Sequence, residues 1–184
     1  MLASVAVLVS GGGTNLAAIL ASPEIKHAKV EVVISNNENA YALTRAKEAG
    51  VKAVVCKSEN EMHKYLEGID LVVLAGFMKI LSKDFVDRYK IINIHPALIP
   101  SFCGKGMYGL HVHEAALAKG VKVSGATVHY VNEVPDGGQI IEQKAVRIKD
   151  GDTPETLQKR IMEEAEWIIL PRAIEKIAKE IYEI

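Results

Sequence analysis

The chain reads as an α/β protein: one domain over residues 1–184, built on a doubly wound, mostly parallel sheet with an antiparallel C-terminal strand pair and a long C-terminal helix. Three observations predict this. Short β-branched apolar runs, such as Val-Ala-Val-Leu-Val-Ser at 5–10, alternate with segments of helix length, as strands covered on both faces do. After residue 95 the alternation stops, and two strand-like runs follow, joined by a turn-rich connection. Near the end, Asp152-Thr153-Pro154-Glu155 offers a capping oxygen, an early proline and an acid in the first turn, a strong start for the last helix.

In order, strands are expected at 5–10, 30–34, 53–56, 71–74 and 91–94, with helices at 15–21, 41–49, 59–66 and 82–89 between them. Residues 96–109 hold two prolines and three glycines in fourteen residues, which predicts an irregular functional loop. A helix at 111–119 follows, then strands at 125–131 and 139–148 with Asp136 near the tip of their connection, and a C-terminal helix bent at Pro171. In such a sheet, ligands sit beyond the carboxyl ends of the strands.

Lys plus Arg number 22 against 23 Asp plus Glu, a net charge of -1 that argues against a broad nucleic-acid or anionic-membrane footprint. Two cysteines, Cys56 and Cys103, are too few for a disulfide framework, and the first strand begins close to Met1, so a cytoplasmic location is expected. No apolar stretch reaches the roughly 18 residues a membrane span needs.

Three fragments carry chemistry. Gly11-Gly12-Gly13-Thr14-Asn15, between a buried strand and a helix, aims backbone amides and a helix amino end at one place, which suits a phosphate. The spacing matches neither a dinucleotide fingerprint nor a P-loop. Asn93 and His95 lie two apart on one strand and so face the same side. With Asp136 from the far connection, they offer an amide, an imidazole and a carboxylate that can bind a carbonyl, hold its developing negative charge and move a proton. His95 and Asp136 are expected at solvent-accessible strand ends. His129 reads as a satisfied sheet histidine. Cys103, His111 and His113 suggest zinc only weakly, because residues two apart on a helix do not face each other, and no metal is expected.

Val-Leu-Val-Ser-Gly-Gly-Gly-Thr-Asn-Leu at 7–16, Leu-Ala-Gly-Phe-Met-Lys-Ile-Leu at 74–81, Asn-Ile-His-Pro-Ala-Leu-Ile-Pro-Ser-Phe at 93–102, and Gly-Ala-Thr-Val-His-Tyr-Val with the later Asp-Gly-Gly at 125–138 closely resemble the folate-dependent phosphoribosylglycinamide formyltransferases. The resemblance implies a Rossmann-like formyltransferase fold and transfer of a formyl group from 10-formyltetrahydrofolate to the amino group of glycinamide ribonucleotide in purine biosynthesis. It makes Asn93, His95 and Asp136 the catalytic trio. It also implies that Gly12, Gly13, Thr14 and Asn15 hold the substrate phosphate and that Glu166 holds the ribose hydroxyls. Met78, Lys79, Ile80 and Leu81, with Val131, Asn132, Glu133, Val134, Pro135 and Asp136, would line the pterin pocket, through backbone groups for the most part. The implied ligands are two small molecules, with no nucleic acid or membrane partner, and the protein would be a monomer or homodimer.

Four features depart from that family's pattern. Lys79 stands where arginine is common, the chain between Cys56 and Asp70 is short, Trp167 replaces a histidine, and the segment 103–108 is long, as a lid or a packing feature. The rival readings are a formyltetrahydrofolate hydrolase, for which the chain begins without the usual regulatory domain, a methionyl-tRNA formyltransferase, for which no tRNA-gripping C-terminal domain is seen, and a non-catalytic phosphate-ligand binding protein.

Overall fold

The computed structural model describes residues 1–183. Its core is one seven-stranded sheet in the order β3-β2-β1-β4-β5-β6-β7. The strands are β1 Ala3–Val9, β2 Ala28–Ser35, β3 Lys52–Val55, β4 Leu71–Leu74, β5 Ile91–His95, β6 Val123–Tyr130 and β7 Ile140–Arg147. The first five are parallel, and β6 and β7 run antiparallel to their neighbours.

Alternation along β1 divides the core. Val5, Val7 and Val9 face one layer, with α1 (Thr14–Ala21), α2 (Tyr41–Glu48), α6 (Pro154–Ile161) and α7 (Trp167–Tyr182). Ala6 and Leu8 face the other, with α3 (Glu59–Leu66) and α4 (Lys83–Arg88). Both faces of the central strands are therefore dry, which is why they read as unbroken apolar runs. α5 (Leu110–Lys119) precedes β6.

Helix starts follow local chemistry. Ser58 and Ser82 cap α3 and α4 by accepting from the Glu61 and Phe85 amides. Thr153 and Thr156 form a reciprocal capping box at α6, and Asp152 grips Arg160 with both carboxylate oxygens.

The C-terminal helix carries a feature beyond that expectation: a π-turn, Met162–Glu166, interrupts the α-helical pattern ahead of Pro171, which lies inside α7. The extra residue in that turn brings both Ala165 and Glu166 to the buried face. No helix among the described residues is long and apolar enough to cross a membrane.

Candidate active site

β5 is the last parallel strand, and its antiparallel partner β6 sets Asn93 opposite His129 and His95 opposite Thr127. A register shift between Val128 and His129, where β6 meets β7, adjusts the course of the strands beside these residues. The connection back to β7 then turns at Asp136, which adopts a left-handed backbone (φ 56) that aspartate tolerates better than most residues. Gly138 follows against the Tyr130 carbonyl, where a Cβ would lie 1.7 Å from that oxygen. This tight turn brings the Asp136 carboxylate over the end of β5.

There the carboxylate stands between two imidazoles. Asp136 Oδ2 is 3.6 Å from His95 Nδ1, and Oδ1 is 3.6 Å from His129 Nε2. The Gly104 amide donates to Oδ2 at 2.8 Å. Partners assign the ring protons. His129 Nδ1 lies 2.8 Å from the Tyr130 carbonyl and must donate to it, so in the neutral ring Nε2 accepts from Asn93 Nδ2 at 3.2 Å. The second Asn93 N–H remains available to a ligand. His95 Nε2 lies 2.8 Å from the Phe102 carbonyl and donates to it. Both neighbours of His95 are therefore acceptors, and only the imidazolium satisfies both.

Burial opposes that charge and is the larger effect, holding His95 below its ordinary 6.5 although Asp136 and the Phe102 carbonyl push the other way. For Asp136 burial again acts first, pushing the carboxyl up. The hydrogen bond that His129 offers when its Nε2 carries a proton, the Gly104 hydrogen bond and the charge of His95 together outweigh it, and the group sits below the usual range.

His95 is 3% exposed, which corrects the expected open strand end. The loop 96–109 folds over it, held to β6 where Thr127 donates to the Ala97 carbonyl at 2.6 Å and accepts from the Ile99 amide at 3.1 Å. Asp136 is also largely shielded. His113 is fully buried on α5, while His111 is exposed beside Glu114, so the two do not form a pair.

Asn93, His129 and Asp136 open onto a cleft of about 150 Å³. Lys79, Ile80 and Leu81 line one side and residues 131–136 the other, as the sequence suggests. Met78 falls outside that lining. The residue is 56% exposed, and its amide donates to Ser10 Oγ at 2.8 Å. Leu74, Phe77 and Val86 complete the apolar wall. His129 is the buried sheet histidine the sequence suggests, with both ring nitrogens partnered, and the β5–β6 pairing adds that it stands opposite Asn93 at the site.

Ser10 joins this cleft to the glycine loop, since its amide donates to the Gly76 carbonyl at 3.1 Å and its hydroxyl receives Met78. Gly13 caps α1 in a left-handed conformation (φ 73), where a Cβ would come within 2.6 Å of Ala42. Within the first turn of α1, Asn15 donates through Nδ2 to Glu166 Oε2 at 2.7 Å. Burial pushes the Glu166 carboxyl up to about 7 against that hydrogen bond. The predicted phosphate loop and ribose acid are thus in direct contact. Trp167 Nε1 is buried without a hydrogen-bond partner among the described residues.

A family profile described as formyl transferase matches residues 3–174. The chain is 41% identical over 186 residues to a phosphoribosylglycinamide formyltransferase of Haemophilus influenzae, covering 92% of this chain and 84% of that protein. It is 42% identical over 191 residues to the trifunctional purine biosynthetic protein adenosine-3 of Homo sapiens, covering 96% of this chain but only 18% of that longer relative. The solved phosphoribosylglycinamide formyltransferase of Anaplasma phagocytophilum superposes with a TM-score of 0.88 at 41% identity, over 96% of this chain and 87% of that one. A match of this extent, on a sheet that assembles Asn93, His95 and Asp136 beside a cleft, shows that the chain belongs to the formyl transferase family.

Proposed function

We propose that residues 1–184 act as one formyltransferase domain that transfers a formyl group from 10-formyltetrahydrofolate to the amino group of glycinamide ribonucleotide, in purine biosynthesis. The observation that carries this reading is the meeting of His95 and Asp136 at 3.6 Å behind Asn93, with Asn93 and Asp136 on the wall of the cleft.

The amine nitrogen bonds to the formyl carbon and the carbonyl electron pair moves to oxygen. Asn93 donates its free N–H to that oxyanion, a contribution of about 3 kcal/mol for comparable donors in other enzymes. His95, when protonated, adds its charge. Collapse restores the carbonyl and breaks the bond to N10 of the folate, while the proton lost by the amine passes, directly or through a water held by Asp136, to N10. This sequence uses no metal.

In this reading the amides of Gly12, Gly13, Thr14 and Asn15 hold the phosphate and Glu166 receives the ribose hydroxyls. The cleft takes the pterin ring, whose donor and acceptor edge pairs with main-chain groups of 78–81 and 131–136. The rest of the folate runs past Lys79 to solvent. Both ligands are small molecules, neither nucleic acid nor membrane takes part, and a monomer or homodimer suffices.

Incubation with both substrates, following formylated acceptor and free formate separately, tests the proposal. Formylated acceptor should accumulate in step with tetrahydrofolate while formate stays at background. Formate as the main product would assign hydrolysis instead, and no acceptor-dependent product would overturn the proposal.

A further inference from the structure

Three successive carbonyls of the glycine loop are tied back. The Gly11 oxygen accepts from the Ala42 amide at 3.1 Å, the Gly12 oxygen from Arg45 Nε at 2.8 Å, and the Gly13 oxygen from the Ala17 amide at 2.9 Å. Across a trans peptide the C=O and the next N–H point in opposite directions, and the cis bond among the described residues lies elsewhere, at Ile99-Pro100. The amides of Gly12, Gly13 and Thr14 are thereby turned outward, and among the described residues none of them donates to a protein group.

Of the three ties, only that of Arg45 comes from a side chain. Its guanidinium lies 5.0 Å from the centre of the Tyr41 ring, on the same helix, and no carboxylate pairs with it among the described residues. It is a fixed, uncompensated cation placed behind the loop. Arginine stays charged at any working pH, and its planar head suits both the stacking and a directed Nε–H bond.

We infer that Arg45 is a positioning residue for the phosphate subsite: its Nε–H holds the Gly12 carbonyl so that the Gly13 amide faces the acceptor's phosphate, and its charge polarises that peptide toward an anion. The inference rests on the acceptor's phosphate lying in the glycine loop. A cation on the carbonyl side of a peptide strengthens the donor on the other side, as hydrogen bonds in series do.

The test compares Arg45→Ala and Arg45→Gln with the unaltered protein on glycinamide ribonucleotide and on its dephosphorylated riboside. Selectivity, the ratio of kcat/KM for the phosphorylated over the dephosphorylated acceptor, should fall about ten-fold in Arg45→Ala, the scale of one hydrogen bond to a charged group. Arg45→Gln, which can still donate to the Gly12 carbonyl without a charge, should fall between. Titration with inorganic phosphate, which needs no turnover, should show the same order of affinities. Equal loss on both acceptors would make Arg45 a general support of the fold and overturn the inference, as would unchanged selectivity. If the unaltered protein binds phosphate yet transfers no formyl group, the formyl-transfer proposal fails while the phosphate titration still decides the role of Arg45. No phosphate binding at all would overturn the inference, while the product assay would still decide formyl transfer.

Discussion

His95 and Asp136 face each other at 3.6 Å although forty positions of chain separate them, and the loop 96–109 fixes both, through the Phe102 carbonyl at the far nitrogen of His95 and the Gly104 amide at the Asp136 oxygen that faces it. Asp136 is the main group pushing the His95 pKa up against burial. Asp136→Asn should therefore lower the His95 titration midpoint further, read by NMR of ring-labelled histidine. An unchanged or higher midpoint would separate the two groups electrostatically.

Glu166 should give the ligand-free protein a distinctive pH dependence. Its carboxyl is pushed up to about 7 from an ordinary 4.5, so the folded state keeps a proton that the unfolded chain has released. That contribution is fully present below pH 4.5 and is lost as pH rises through about 7. At about 1.4 kcal/mol per pKa unit the loss is on the order of 3 kcal/mol. Glu166→Gln should remove this decline, so that its denaturant-unfolding free energy relative to the unaltered protein improves between pH 5 and pH 8.5. The same variant should raise the acceptor KM, since an amide accepts ribose hydroxyls less well than a carboxylate. A decline that persists in the variant would place its origin elsewhere.

Thr14→Asp puts a carboxylate in the first turn of α1, where it competes with a bound phosphate for the same amides and repels it. The acceptor KM should rise by about ten-fold or more while the folate KM holds. Initial rates against each substrate separate the two.

Lys79 is exposed, and its Nζ rests 3.3 Å from the Lys57 carbonyl. An exposed point charge beside a folate carboxylate contributes at most about 1 kcal/mol. Lys79→Ala should raise folate KM only a few-fold, by an amount that shrinks with added salt, and leave the acceptor KM alone. A hundred-fold loss would show that Lys79 is enclosed against the bound folate.

The buried strands were legible because covering both faces leaves them mostly apolar, with the polar Asn93 and His95 confined to the site end of β5; β1, β4 and β5 lie close to where their apolar runs fall. β2 begins at Ala28, earlier than its apolar run, because Lys29 and Glu31 point to solvent at its open end. The π-turn left no trace in residue types, since glutamates and alanine suit an α-turn equally well, and Pro171 is the more conspicuous residue. The trio could be read from motif and alternation. What could not be read was how the loop 96–109 closes over His95, because its contacts run through the backbone at Phe102 and Gly104 and so carry no residue-type signature. His129 was legible as a satisfied sheet histidine but not as a neighbour of the site, because a single histidine in a strand is ordinary until the register puts it against Asn93.

The most direct measurement is single-turnover transfer of an isotopically labelled formyl group to glycinamide ribonucleotide, in the unaltered protein and in Asp136→Asn, with both ligands saturating and their affinities determined independently. Both forms should bind the ligands comparably, and the label should pass to the acceptor at least about a hundred-fold more slowly in the variant, the scale of a lost acid–base group. Equal single-turnover rates would contradict the assignment of the proton chemistry to the pair formed by His95 and Asp136.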